Sequence, residues 1–186
     1  MAVTFTTSGT ASAGGVQQSY ALVHAALLEG QLSDIRDNTI GTYINETAVV
    51  LPFGDVQVYN SAGTVANSAK TLSASGDTVV GINVLTYVDE TALNSDLRPG
   101  VKIDQVLNVA NEGAVAVYVT GAVNPSSVVR VLFSASGTGK AGQFSHAFAS
   151  GKTVRLSNAR FLSSTTGSGL AILELNGPSF TLSADS

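Results

Sequence analysis

From about residue 46 onward, short runs rich in Val, Ile, Thr and Tyr recur at intervals of roughly 10 to 15 residues, each closed by a glycine-bearing turn. No stretch with helical periodicity separates them. This punctuation constrains the fold more than anything else in the chain. Crossover helices have little room to sit, so the pattern disfavours parallel βαβ units and points to antiparallel connections. The expected fold is therefore mainly β, an antiparallel sandwich or barrel.

The runs can be placed one by one. Ala48–Leu51 is apolar and is closed by Pro52-Phe53-Gly54, and Val56 and Val58 then alternate with Asp55 and Gln57. Thr78–Val88 carries Gly81 inside it, a sign of a bulge or a close backbone approach. Val101, Ile103, Leu107 and Val109 share one parity and predict a single half-buried strand. Ala110-Asn111-Glu112-Gly113 then reads as a turn, with Val115, Val117 and Val119 running back as the second arm of a hairpin. Val129–Phe133, Thr153–Leu162, Leu170–Leu175 and Ser179–Leu182 are the remaining candidates.

The first residues differ in kind. Of residues 1–19, 13 are Ser, Thr, Gly or Ala, too little apolar surface to build a core. Residues 1–27 are expected to form an extended N-terminal arm, and 28–186 the β-rich domain. Val16, Tyr20, Val23 and Leu27 fall on one helical stripe, so the arm is expected to include one short helix, stopped by Gly30. An arm of this kind orders against a partner, where its backbone can extend a sheet edge. Val3, Phe5, Val16 and Tyr20 are its candidate anchors.

Composition narrows the function. There is no Cys, so disulfides and thiolate metal sites are excluded. Charged residues make up 12%, about half the usual share, which suits a surface covered by partners and leaves stability to buried interfaces. Self-association is expected on that ground. The start, Met1–Ser8, lacks a basic n-region and an apolar h-region, and no apolar run approaches the roughly 20 residues of a membrane span. The expected compartment is the cytoplasm or an assembly built there, with no membrane partner. Residues 1–129 hold 4 basic and 11 acidic side chains, whereas 130–186 hold 5 basic (Arg130, Lys140, Lys152, Arg155, Arg160) and 2 acidic. A net charge of −4 disfavours nucleic acid. The asymmetry suits protein–protein contact, with those five basic residues as candidate docking groups.

No motif carries catalysis. Gly137-Thr138-Gly139-Lys140-Ala141-Gly142 matches a dinucleotide-binding spacing, but the segment after it is short and broken by Gly151, and no acid stands at the ribose position. A loop between strands explains its glycines better. His24 and His146 are 122 positions apart and no imidazole–carboxylate cluster accompanies them. The paired acids, Asp34/Asp37 and Asp89-Glu90, lack the tryptophans of a sugar cleft. Asn45-Glu46-Thr47 fits a glycosylation sequon by chance. No enzyme, cofactor or metal is expected.

Several short motifs, in order, carry a resemblance. Leu28-Glu29-Gly30-Gln31-Leu32-Ser33-Asp34 is followed by Val50-Leu51-Pro52-Phe53-Gly54-Asp55-Val56, Val80-Gly81-Ile82, Arg98-Pro99-Gly100-Val101 and the Asn111–Val119 segment ending at Gly121-Ala122-Val123. This order resembles the structural cement, or capsid decoration, proteins of tailed bacteriophages, over roughly residues 28–135. Glu29 stands where the family pattern has Pro. The resemblance implies a β-rich virion protein, made in the host cytoplasm, that sits outside the head as a homotrimer and clamps neighbouring major capsid protein subunits. The alternative from the same residues is a tail or baseplate fibre module that binds host carbohydrate.

Overall fold

The computed structural model describes residues 27–33, 37–86, 91–177 and 180–184. Among these there are fourteen strands and no helix. The expected arm anchors Val3, Phe5, Val16 and Tyr20 lie outside the described residues, as does the helical stripe apart from Leu27, which belongs to no regular element.

The organising element is β8 (Val106–Val119), flanked over its first half by β1 (Thr39–Ile44) and over its second by β13 (Gly169–Asn176), both antiparallel. β5 (Val79–Asn83) joins β8 at residues 109–110, and carries β3 (Val56–Tyr59) and then β4 (Ala69–Thr71). In the other direction, β10 (Phe144–Ser145), β9 (Arg130–Leu132), β11 (Thr153–Leu156) and β14 (Leu182–Ala184) extend the sheet, and β12 (Ala159–Phe161) pairs with β13. A second sheet has three strands in the order β2 (Leu51–Pro52), β7 (Pro99–Val101), β6 (Thr91–Leu93). The chain is mainly β, as its periodicity predicts. Its pairs are antiparallel except at single contacts, such as Phe144 of β10 beside Val119 of β8.

Two apolar clusters hold these layers. The larger gathers Val56, Val58, Ile82, Val115, Val117, Val131, Phe144, Phe161 and Leu173, with others, inside the large sheet. The smaller, built on Leu51, Phe53, Val101, Leu107 and Val109, fills the space between the large sheet and the small one.

The expected hairpin at 110–113 is not a hairpin. Residues 106–119 form one strand, and the Asn-Glu-Gly step is a bulge within it. Thr39 pairs with Glu112 but Ile40 with Ala110, so Asn111 is skipped in the register. One extra residue exchanges the faces of everything after it. Leu107 and Val109 accordingly point into the smaller cluster, whereas Val115, Val117 and Val119, of the same parity, point into the larger. Gly113 takes φ +117°, which side-chain-bearing residues rarely adopt, and a Cβ there would strike Asn38 Oδ1.

The single strand expected over 101–109 is also divided. Asp104 takes φ 60° and its N–H donates to Asn45 O at 2.7 Å, making a turn between β7 and β8. Val101, Leu107 and Val109 are buried as their parity requires, while Ile103 turns out to solvent.

Candidate interaction surfaces

Three of the short glycine motifs meet in space. Gly30 (φ +77°) and Gly54 (φ +76°) lie back to back: a Cβ on Gly30 would come within 2.9 Å of Gly54 N, and one on Gly54 within 3.2 Å of Glu29 Cβ. Only glycines permit this approach. It delivers Glu29 and Asp55, the neighbours of those glycines, to the guanidinium of Arg98. Arg98 Nη1 and Nη2 donate to the two Asp55 carboxylate oxygens at 2.9 and 2.6 Å, and Nε and Nη2 donate to Glu29 Oε2 at 3.1 and 3.0 Å. The fork geometry of arginine matches a carboxylate on one side and leaves donors for the second acid. Asp55 is 1% exposed. Burial pushes its carboxyl up to about 7 and the Glu29 charge adds to the rise, both against the pull of Arg98. Burial works to lower the Arg98 pKa, but the Asp55 hydrogen bonds and the two carboxylate charges override it and raise it.

This clasp fastens the small sheet to the large one, because Arg98 immediately precedes β7 and Asp55 precedes β3. Asn83 at the end of β5 adds to it, donating to Leu51 O and Pro52 O at 3.0 Å each. Asn45, fully buried, fixes the next loop: its amide nitrogen donates to Val49 O (2.9 Å), Val101 O and Lys102 O (3.1 Å each), and its oxygen accepts from Thr47 N at 3.0 Å. The sequon residue is thus committed to the interior. Glu46 beside it accepts from Thr64 N and Val65 N at 3.1 Å each and from the Thr64 hydroxyl. These bonds, the Thr64 hydroxyl first, hold its carboxyl down at about 2.

Above the clasp lies an open groove of about 490 Å3. Its floor includes Pro52, Asp55 and Arg98, and its walls include Val49, Leu93 and Ile103. These three apolar side chains are 58%, 58% and 45% exposed. Lys140 and Asp96, paired at 2.8 Å, also line it. A second hollow of about 290 Å3, lined by Leu27, Leu28, Leu85, Pro99, Tyr118 and Leu170, lies where the described chain begins.

The structure sorts the five basic candidates. Arg130 on β9 and Arg155 on β11 are register partners on adjacent strands, in a row that runs from Ser145 on β10 to Ser183 on β14. Arg130 donates to His146 O. Lys152, exposed, directly precedes β11. Lys140 and Arg160 are elsewhere: Lys140 is tied to Asp96 at the groove, and Arg160 to Glu174 across the β12–β13 pair. The Gly137–Gly142 segment is a tight loop closed by reciprocal Ser136–Gly139 backbone bonds, and strand β10 rather than a helix follows it. Among the described residues no group of three or more His, Asp or Glu could hold a metal ion. Of the paired acids singled out by sequence, Asp34, Asp89 and Glu90 lie outside the described residues and Asp37 is exposed. The acids that matter to the architecture, Glu29 and Asp55, are 26 positions apart. Their signal is the glycine beside each one, and no acid–acid spacing reveals them.

Residues 16–176 match the family model described as structural cement protein (E217 gp24/Pam3 gp6). Among solved structures, a chain of the capsid of Myoviridae phage XM1 shares the fold with a TM-score of 0.60 at 18% identity, over 81% of this chain and 90% of that one. No curated protein matches.

Proposed function

The chain belongs to the structural cement protein family, and on that premise we propose that it decorates a phage head and cements the lattice of its major capsid protein, without catalysis. The observation that carries this reading is the family match, which spans the clasp, the groove and the basic row together. The geometry supports it as follows. A cement must transmit load between neighbours without deforming. The buried ionic clasp and the bulged central strand lock two sheets into one body, giving rigid surfaces on which contacts can be placed. The chain acts from the outer face of the capsid, as a homotrimer, so that each particle makes three equivalent contacts and modest single affinities multiply.

Arg130, Lys152 and Arg155 supply the charged part of the lattice contact. Lys140 and Arg160 lie apart from that row, at the groove and on the β12–β13 pair, and contribute less. The arm residues Val3, Phe5, Val16 and Tyr20 supply apolar anchors, shared between the lattice and other copies of the chain. The reading is tested by adding purified protein to heads that lack it and sedimenting them. Stoichiometric co-sedimentation, with gold label on the outer rim of the heads in negative stain, is expected. Protein that stays in the supernatant, or label at the tail, overturns it.

A further inference from the structure

The groove walled by Val49, Leu93 and Ile103 is an exposed apolar feature whose role the clasp does not account for. We propose that it receives residues 2–6 of a second copy, added as an extended strand beside β6. This rests on the self-association put forward above and names its contact.

Four observations favour that occupant. First, residues 1–26 contain no Asp, Glu, Lys or Arg. The charged groups of the groove cancel in pairs, Asp55 with Arg98 and Asp96 with Lys140. A strand without charged side chains enters such a site without stranding a side-chain charge. Second, Val3-Thr4-Phe5-Thr6 alternates, so Val3 and Phe5 share one face of a strand and can meet the three apolar walls while the threonines face out. Third, among the described residues β6 is the edge of the small sheet, paired with β7 alone. An added strand there makes main-chain bonds that need no particular side chain. Fourth, the described chain begins at the second hollow and not at the groove, so the preceding segment has to travel to any groove it fills. Glu29 is held at Arg98, but Leu28 and Leu27 run on toward Tyr118 and Leu170, along the second half of β8. A further 26 residues span up to about 85 Å when extended. A domain of this size has a radius of gyration of only about 15 Å. A neighbouring copy is well within reach.

The absence of cysteine from the chain makes a direct test available. Full-length Phe5→Cys and full-length Leu93→Cys, one of them carrying a size tag, are mixed and mildly oxidised, and the products are separated on a non-reducing gel. A tagged–untagged heterodimer is expected, forming at least tenfold faster than with Val128→Cys, an exposed position elsewhere, in place of Leu93→Cys. Adding Ile103→Asp to the Leu93→Cys chain should abolish it; Ile103 is exposed enough for the change to be tolerated. The Phe5→Cys/Leu93→Cys double variant supplies the second readout. If it closes only within one chain, giving a faster-migrating monomer, the segment seats on its own groove and the proposal is overturned. If no link forms while sedimentation shows an oligomer, the groove is not the contact and self-association stands. If the unmodified chain sediments as a monomer at micromolar concentration, self-association and the groove contact fail together.

Discussion

Asp55 sits between two opposed influences, a desolvated setting that resists its charge and an arginine fork that favours it. With its carboxyl pushed up to about 7, it holds a proton more tightly folded than unfolded, where a value of about 3.9 applies. Its contribution to stability is therefore fully present below pH about 4 and is lost as pH rises through about 7. Asp55→Asn should remove that slope, seen as a flatter dependence of the urea midpoint on pH between 4 and 7. Arg98→Ala leaves Asp55 buried without its counter-charge. It should cost about 3–5 kcal/mol at pH 8, where the carboxylate is ionised, and less at pH 5, where it can take up a proton; urea unfolding at the two pH values measures both. Glu46 behaves in the opposite sense. Its carboxyl is held at about 2, against about 4.3 unfolded, so its contribution is present above pH about 4 and lost as pH falls through about 2. Glu46→Gln should lower the melting temperature at pH 6 and remove the part of the acid loss between pH 4 and 2 that Glu46 supplies, which differential scanning calorimetry can follow.

Individual strands were legible from the sequence and their connections were less so. Val56 and Val58 alternate with Asp55 and Gln57, and the strand is there; the same is true of Leu170–Leu175 within β13. What misled was Asn111-Glu112-Gly113, whose residue types serve a hairpin turn and a bulge equally well. Only the partner strands decide between them: β1 and β13 follow one another along β8 and need it to run straight through. The clasp was half legible. The motifs at Gly30, Gly54 and Arg98-Pro99-Gly100 could each be read as turn chemistry, but nothing in their spacing says that two of the glycines touch. Gly113→Val tests the bulge. The residue must take φ +117° beside Asn38, a conformation costly for a β-branched side chain. A loss of roughly 2–4 kcal/mol is expected, combining backbone strain of about 1–3 kcal/mol with the collision. The same substitution in an ordinary two-residue turn of a surface hairpin would leave the rest of the sheet protected in hydrogen exchange. Here protection should fall along both β1 and β13.

At the scale of the whole molecule, the charge imbalance read from the sequence becomes more specific once partners are assigned. The five basic residues from position 130 onward look equivalent in the sequence. The fold withdraws Lys140 and Arg160 into ion pairs with Asp96 and Glu174 and leaves Arg155 and Lys152 exposed around β11, with Arg130 beside Arg155 in register. If these residues meet acidic groups on the capsid lattice, each surface pair is worth about 0.5 kcal/mol. Lys152→Glu with Arg155→Glu therefore removes at least about 1 kcal/mol per copy, close to a fivefold loss of affinity. A particle that engages through three copies at once loses the sum, about 3 kcal/mol, which is roughly a hundredfold. The size of the effect thus reports on how many copies act together. Titration of the double variant onto heads that lack the protein should show the larger loss, and the wild-type affinity should fall steeply with salt because exposed pairs are screened within about 10 Å at 0.1 M ionic strength. A loss near fivefold would mean that copies bind the lattice one at a time. No loss at all, with an unchanged salt dependence, would take the contact away from β11 and leave it to the apolar surfaces.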